Sequence, residues 1–147
     1  MRELAHRSKA HWPYPEAFLE AVRPLLQLDA VDVARHEVWV LELDGTVVGW
    51  HRVRRDGDRA ELEDLWLEPT QIGAGYGRML FEHAAWVAGE GGARSMDWDA
   101  EPYALGFYEA MGGVVIGETP SAAEPGRTLP RMRLDLRSGS SIQRGGA

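Results

Sequence analysis

The spacing of apolar residues changes period along the chain, and that change divides it into elements. Over residues 15–28, Phe18, Leu19, Val22, Leu25 and Leu26 recur at helical spacing, with Pro24 expected to bend or interrupt the helix. A shorter, weaker helical pattern covers residues 4–11, and Pro13 and Pro15 punctuate the join. From Val38 the period becomes two. Residues 38–43 (VWVLEL) read as a strand, Asp44-Gly45 as a tight turn, and residues 46–53 (TVVGWHRV) as the returning strand. Asp56-Gly57 marks the next turn, and residues 59–67 (RAELEDLWL) close a three-strand meander that Glu68-Pro69 ends.

A glycine-rich turn over residues 71–80 (QIGAGYGRML) then opens a helix. Met79, Leu80, Ala84 and Val87 share one of its faces, and Gly89 or Gly91 is its expected end. Residues 94–98 form a short strand, and residues 102–111 a second helix that stops at Gly112-Gly113. Residues 114–117 and 131–136 read as two closing strands around a long loop over residues 118–130. The sequence from 137, RSGSSIQRGGA, reads as a disordered tail. No internal repeat and no second core are visible, so residues 1–136 are expected to form one domain.

Composition narrows the class. A hydrophobic fraction of 44% over 147 residues supplies one sizeable core. No run approaches the ~20 apolar residues of a membrane span, and the N-terminus lacks the apolar stretch of a signal peptide. A soluble, cytoplasmic protein without a membrane role is expected. The chain has no cysteine, which excludes disulfides, thiolate metal ligands and a thiol nucleophile. No metal site is expected. The net charge of −7 opposes nucleic-acid binding. Arg52, Arg54, Arg55 and Arg59 gather around one hairpin turn, where a solvated strand edge is favoured over a phosphate contact.

Chemistry begins at the glycine turn. Gly73, Gly75 and Gly77 stand between a strand and a helix, where the backbone can bend with no Cβ in the way. Its N–H groups can then converge on an anion at the positive end of the helix dipole. No Lys-Ser/Thr pair follows, so the turn is not a P-loop. Asp97 and Asp99, about 20 residues on, would suit a dinucleotide-binding unit, but a meander precedes the glycines where that unit has a crossover.

Meander, glycine turn and following helix together resemble the GNAT superfamily of acetyl-CoA-dependent acyltransferases over roughly residues 37–136. Its signature, Arg/Gln-x-x-Gly-x-Gly/Ala, matches Ile72-Gly73-Ala74-Gly75-Tyr76-Gly77, with Leu80 and Phe81 as the usual apolar pair. Ile72 departs from the family's Arg or Gln, and Gln71 lies one position early. Gly106-Phe107-Tyr108-Glu109-Ala110-Met111-Gly112 looks like the family's Phe-Tyr-Glu-x-x-Gly stretch. Tyr103 stands where many members have an Asn that contacts the pantetheine arm. The resemblance implies an α+β fold: a mixed, mostly antiparallel sheet of six or seven strands with helices on both faces, parallel only beside the cofactor. The family's first strand is not evident, so either it is absent or the natural start lies upstream.

The resemblance also implies acetyl-CoA as co-substrate, held by Ile72, Gly73, Ala74, Gly75, Tyr76, Gly77 and Arg78. Leu65, Trp66 and Leu67 of the preceding strand, with Tyr103, Phe107 and Tyr108, complete that set. Tyr108 inherits the role of general acid to the departing thiolate. Glu61, 14 residues before Gly75, lies where several members carry a glutamate base. Strand alternation puts Glu63 on the same face unless a bulge intervenes. Asp64, His51 and His36 are further candidates. Without a cysteine, direct transfer to a small-molecule amine in a ternary complex is the economical mechanism, with a strand N–H holding the thioester oxygen. His11, Trp12, Tyr14, Trp50 and Trp66 are candidate acceptor lining, and a homodimer is a family-level expectation. The rival readings are an inactive acyl-CoA-binding or protein-interaction module of the same fold, and a nucleotide-binding regulator.

Overall fold

The computed structural model describes Leu4 and residues 37–136. The two helices expected before residue 37, Leu4 apart, fall outside the described residues, as do His11, Trp12, Tyr14, His36 and residues 137–147.

The period-two segments become strands β1 (Glu37–Leu43), β2 (Thr46–Asp56) and β3 (Arg59–Leu67), paired antiparallel in sequence order. Asp44 and Gly45 both take positive φ, 52° and 79°, which is the twist-matched two-residue hairpin turn. After a single 3₁₀ turn, Pro69–Gln71, the chain enters α1 (Tyr76–Glu90). It continues through β4 (Ser95–Asp99), a second 3₁₀ turn (Pro102–Ala104), α2 (Leu105–Ala110), β5 (Val114–Pro120) and β6 (Thr128–Asp135).

Six strands form one sheet in the order β1-β2-β3-β4-β6-β5, antiparallel except for β3 against β4. The fold is of the expected α+β class. Three boundaries differ from the pattern. β2 runs to Asp56 because its charged end pairs with the start of β3, Arg54 opposite Glu61 and Asp56 opposite Arg59. β5 and β6 consume both ends of the expected long loop, since Thr119 pairs with Leu129 and Pro120 with Thr128. The second helix is split, its first three residues forming the 3₁₀ turn that Pro102 opens.

α1 buries Leu80, Phe81, Ala84, Val87 and Ala88 against the sheet. Its close approach requires Gly49 on β2. A Cβ there would sit 2.7 Å from Leu80 Cδ1 and 3.0 Å from the Trp66 carbonyl oxygen. The core below α1 and α2 joins Phe81, Met96, Trp98, Tyr108 and Met132. Phe81 meets Trp98 edge-on at 5.2 Å between ring centroids, a geometry that adds ~0.5–1.5 kcal/mol beyond area burial. On the opposite face Leu4, which is helical, packs with Trp50.

Candidate active site

β3 and β4 are hydrogen-bonded in parallel only from Arg59–Ser95 to Glu61–Asp97. Beyond that point the strands diverge. The second half of β3 then faces a cleft of about 440 Å³ instead of a neighbouring strand. One wall is Leu65, Trp66 and Leu67, and the other is the 3₁₀ turn with α2.

The glycine turn closes one end. Gly73 and Gly75 take φ of 93° and 88°, left-handed values that side-chain-bearing residues rarely adopt. A Cβ built on either would meet nothing within 4 Å. No side chain caps the N-terminus of α1, and its first turn carries no acid. The first-turn amides and the helix dipole therefore offer a site for an anion. Arg78 adds a cation at the cleft wall and pairs with Glu82 one helical turn on. This cradle fits a pyrophosphate, and the mostly apolar channel leading from it fits a slender arm.

At α2, Tyr108 is 8% exposed and wedged among Phe81, Trp98 and Phe107. Burial, and after it the charge of Glu101, push its phenol well above the usual range, so it stays protonated. Gly113 permits this packing, since a Cβ there would lie 2.9 Å from Trp98 Cζ2.

Of the expected cofactor residues, Leu65, Trp66, Leu67, Ile72, Gly73, Gly75, Gly77, Arg78, Tyr103, Phe107 and Tyr108 all line this one cleft. Ala74, in the turn, and Tyr76, the first residue of α1, do not line the cleft. The two departures, Ile72 and Tyr103, are both cleft residues and both well exposed. Glu101, Ala104, Ala110 and Met111 line it too and were not foreseen. Ala104 and Met111 continue the stripe of Phe107 and Tyr108 at helical spacing, a signal that could have found them. Glu101 caps the 3₁₀ turn by accepting the Tyr103 N–H at 3.2 Å, and only the tertiary fold turns it to the cleft.

The expected bases stand elsewhere. Glu61 projects from the face opposite α1, where Arg131 donates to both its carboxylate oxygens at 2.6 and 2.5 Å. Glu63 is the extra residue of a β-bulge, since Arg52 pairs with Asp64 while Val53 pairs with Leu62. Its carboxylate takes a hydrogen bond from Arg54 Nε at 2.6 Å. Neither lines the cleft. Asp64, one residue before the cleft wall, accepts from Trp66 Nε1 at 3.0 Å and from Arg52 Nε at 2.7 Å. Its side chain is 12% exposed, and desolvation pushes its carboxyl up despite both donors. His51 is fully buried and bonded through Nε2 to His83 Nδ1 at 2.8 Å; it pairs with Leu65 of the cleft wall but does not itself line the cleft. Trp50 is core. Arg52 and Arg54, two of the clustered arginines, thus serve as counter-ions to β3.

Among the described residues no group of three or more His, Asp or Glu could hold a metal, and no helix is long and apolar enough to cross a membrane.

Comparisons with known proteins agree with this geometry. No curated protein matches the chain. Among solved structures, a GCN5-related N-acetyltransferase from Rhodopseudomonas palustris superposes with a TM-score of 0.77 at 20% identity, over 91% of this chain and 86% of that one. The PaiA N-acetyltransferase of Thermoplasma acidophilum, solved in complex with coenzyme A, gives 0.75 at 19% identity, over 91% and 89%. The ribosomal-protein-S18-alanine N-acetyltransferase of Escherichia coli gives 0.66 at 18%, over 92% and 84%. At these identities the likeness establishes the fold. The family model described as acetyltransferase (GNAT) family matches residues 3–113, and on that match this chain belongs to the GNAT acetyltransferases, which carry out acetyl-CoA-dependent acyl transfer.

Proposed function

We propose that the protein transfers the acetyl group of acetyl-CoA to a primary amine, by direct attack of the amine in a ternary complex. The observation that carries this reading is the single cleft that joins the open glycine cradle to the protonated Tyr108. Backbone amides of residues 72–78 hold the pyrophosphate, and Leu65, Leu67 and Phe107 sheathe the arm. Acetyl-CoA supplies an acyl thioester, activated for acyl transfer.

The edge of β3 beyond Glu61 offers backbone N–H to the carbonyl oxygen as charge develops there. Tyr108 donates a hydrogen bond to the leaving sulfur as the C–S bond breaks. Burial keeps the phenol protonated and so able to donate that hydrogen bond, and the proton that the thiolate finally takes up balances the one the amine loses. The amine's proton must pass to a base, because a free alkyl amine is mostly protonated at neutral pH. We assign that role to Asp64 in place of Glu61. Its carboxyl is made more basic by burial and stands one residue before Leu65 of the cleft wall; like Glu61, which Arg131 holds at both oxygens, it already accepts at both, from Trp66 and Arg52.

The rival is a module of the same fold that binds acyl-CoA without chemistry. Tyr108→Phe separates the two, because it keeps the ring and removes the proton. Acetyl-CoA affinity should hardly change, while CoA release in an amine screen should fall ~10²-fold or more, and less with a donor whose thiol is more acidic. Gly75→Val should abolish acetyl-CoA binding, since position 75 has positive φ. Asp64→Asn should recover partly at high pH, where the amine is already neutral. A wild-type protein that binds acetyl-CoA and releases no CoA with any amine overturns the enzymatic reading. Equal losses of binding and turnover in Tyr108→Phe reduce that residue to packing.

A further inference from the structure

Charge is distributed unevenly along the cleft. Among its described lining residues only Arg78 and Glu101 are ionised. Arg78 stands in the first turn of α1, beside the glycine cradle, and is paired with Glu82. Glu101 opens the 3₁₀ turn on the other wall, the wall that carries Tyr108. Its charge is felt at that phenol, as the second cause after burial of the upward push on Tyr108. Around it the lining is largely hydrocarbon, from Leu65, Ile72, Phe107 and Met111, so a carboxylate there is screened less than in water.

The backbone holds Glu101 in this place. Its Oε1 accepts the Tyr103 N–H at 3.2 Å, its carbonyl accepts the Ala104 N–H at 2.8 Å, and Pro102 fixes the start of the turn. Capping needs only an acceptor oxygen, which neutral side chains supply equally well. A half-buried negative charge is a different matter, because its desolvation is costly unless a cation meets it. A carboxylate accepts about four hydrogen bonds, so capping the turn is compatible with receiving the N–H of a ligand.

We propose that Glu101 selects the acceptor, pairing with the nitrogen of an alkylammonium and rejecting an amine that carries a carboxylate on the adjacent carbon. This rests on the amine-transfer reading above. The entering ammonium donates an N–H to Glu101. Once the base has taken one proton, the neutral nitrogen keeps two N–H groups. One of them, still donated to Glu101, points the lone pair away from the carboxylate and toward the thioester carbon near Tyr108. An α-amino acid would bring its own carboxylate against Glu101 in an apolar cleft, a like-charge meeting that disfavours it. The substrate class is therefore the simple alkylamine, not the free amino acid.

The test uses acceptors that differ at one group: phenethylamine, phenylalanine and phenylalaninamide, each with acetyl-CoA. The wild type should show a kcat/KM for phenethylamine ~10²-fold or more above that for phenylalanine. Phenylalaninamide, as bulky as the acid but without its negative charge, should behave like the amine. Glu101→Gln keeps an oxygen to cap the turn and removes the charge. It should raise the KM for phenethylamine ~10-fold and shrink the preference over phenylalanine, with the Kd for acetyl-CoA unchanged. Glu101→Asp, which keeps the charge, should retain more of the preference than Glu101→Gln. A wild type that acetylates phenylalanine as well as phenethylamine overturns the proposal. So does a Glu101→Gln protein that binds acetyl-CoA more weakly and keeps the preference, since Glu101 would then be a cofactor contact. Absence of CoA release with every amine is instead the failure of the enzymatic reading. In that case selection is read from melting temperature with CoA bound, which phenethylamine should raise in the wild type and not in Glu101→Gln, and phenylalanine in neither. Equal shifts with the two ligands overturn the proposal.

Discussion

On the face of the sheet that carries α1 and α2, strand side chains meet the helices almost entirely as hydrocarbon. Val53, Leu62, Met96, Trp98 and Met132 are each at most 5% exposed there. On the other face the alternate residues of the same strands are ionised and paired. Arg52 meets Asp64, Arg54 meets Glu63, and Arg131 spans Glu61 and Asp99 while Arg133 grips Asp97 with two hydrogen bonds. The apolar face fixes the second wall of the cleft rigidly, because close packing leaves α2 no alternative seat. The charged face is partly wet. β3 serves both faces at once, and its bulge at Glu63 separates a length bonded to β4 from a length that forms the cleft.

Breaking the apolar side should have the largest effect. Phe81 contacts Trp98, Phe107 and Tyr108, so Phe81→Ala should cost about 3–5 kcal/mol in denaturant unfolding. Because the cavity lies under Tyr108, acetyl-CoA turnover should fall further than acetyl-CoA binding. A loss below about 1 kcal/mol would show that this face is not the jigsaw described here.

The next effect sharpens the comparison through the exception on the apolar face. His51 is fully buried, its Nδ1 has no partner, and Nε2 meets His83. Donation from His51 Nε2–H to His83 Nδ1 leaves a bare lone pair at the buried Nδ1, which is cheaper than a buried N–H without an acceptor. Trp39 of β1 and Trp86 of α1 flank His83. Burial, and then His83, push His51 down to about 4 from 6.5, while burial alone lowers His83. The folded state resists a proton that the unfolded chain accepts. Stability should therefore be constant above about pH 6.5 and fall as pH drops from there toward 4, by on the order of 3 kcal/mol. His51→Phe should flatten the curve over that window, and an unchanged slope would reject the assignment.

The charged face should yield the smallest effects. Arg131→Ala strands Glu61 and Asp99, which are partly solvated, and should cost about 1–2 kcal/mol. Combining it with Glu61→Gln should restore part of the loss, the coupling expected of neighbours. Arg54→Ala removes an exposed pair and should change stability by less than about 1 kcal/mol. Large losses from Arg54→Ala would erase the contrast between the faces.

How far these features were legible depends on the range of the physics behind them. The meander, the glycine turn, α1 and α2 were readable because period-two alternation, tight-turn dipeptides and helical stripes act over a few residues. Tyr108 and the glycines were readable for the same reason, as short motifs whose geometry is local. The fate of the β3 acids was not. Strand alternation left the face of Glu63 open, and the bulge that decides it arises from register against β2. Glu61 reads as a base in one dimension, yet Arg131, 70 residues later, claims it once β6 is brought alongside β4. Glu101 reads as a helix cap until the splayed strands make a cleft beside it. Residue type and local period determined which elements form and where the open glycine turn meets a helix N-terminus. The partners of buried and half-buried charges, and the cleft itself, were decided only in the tertiary structure, because each depends on strands that meet across long stretches of chain.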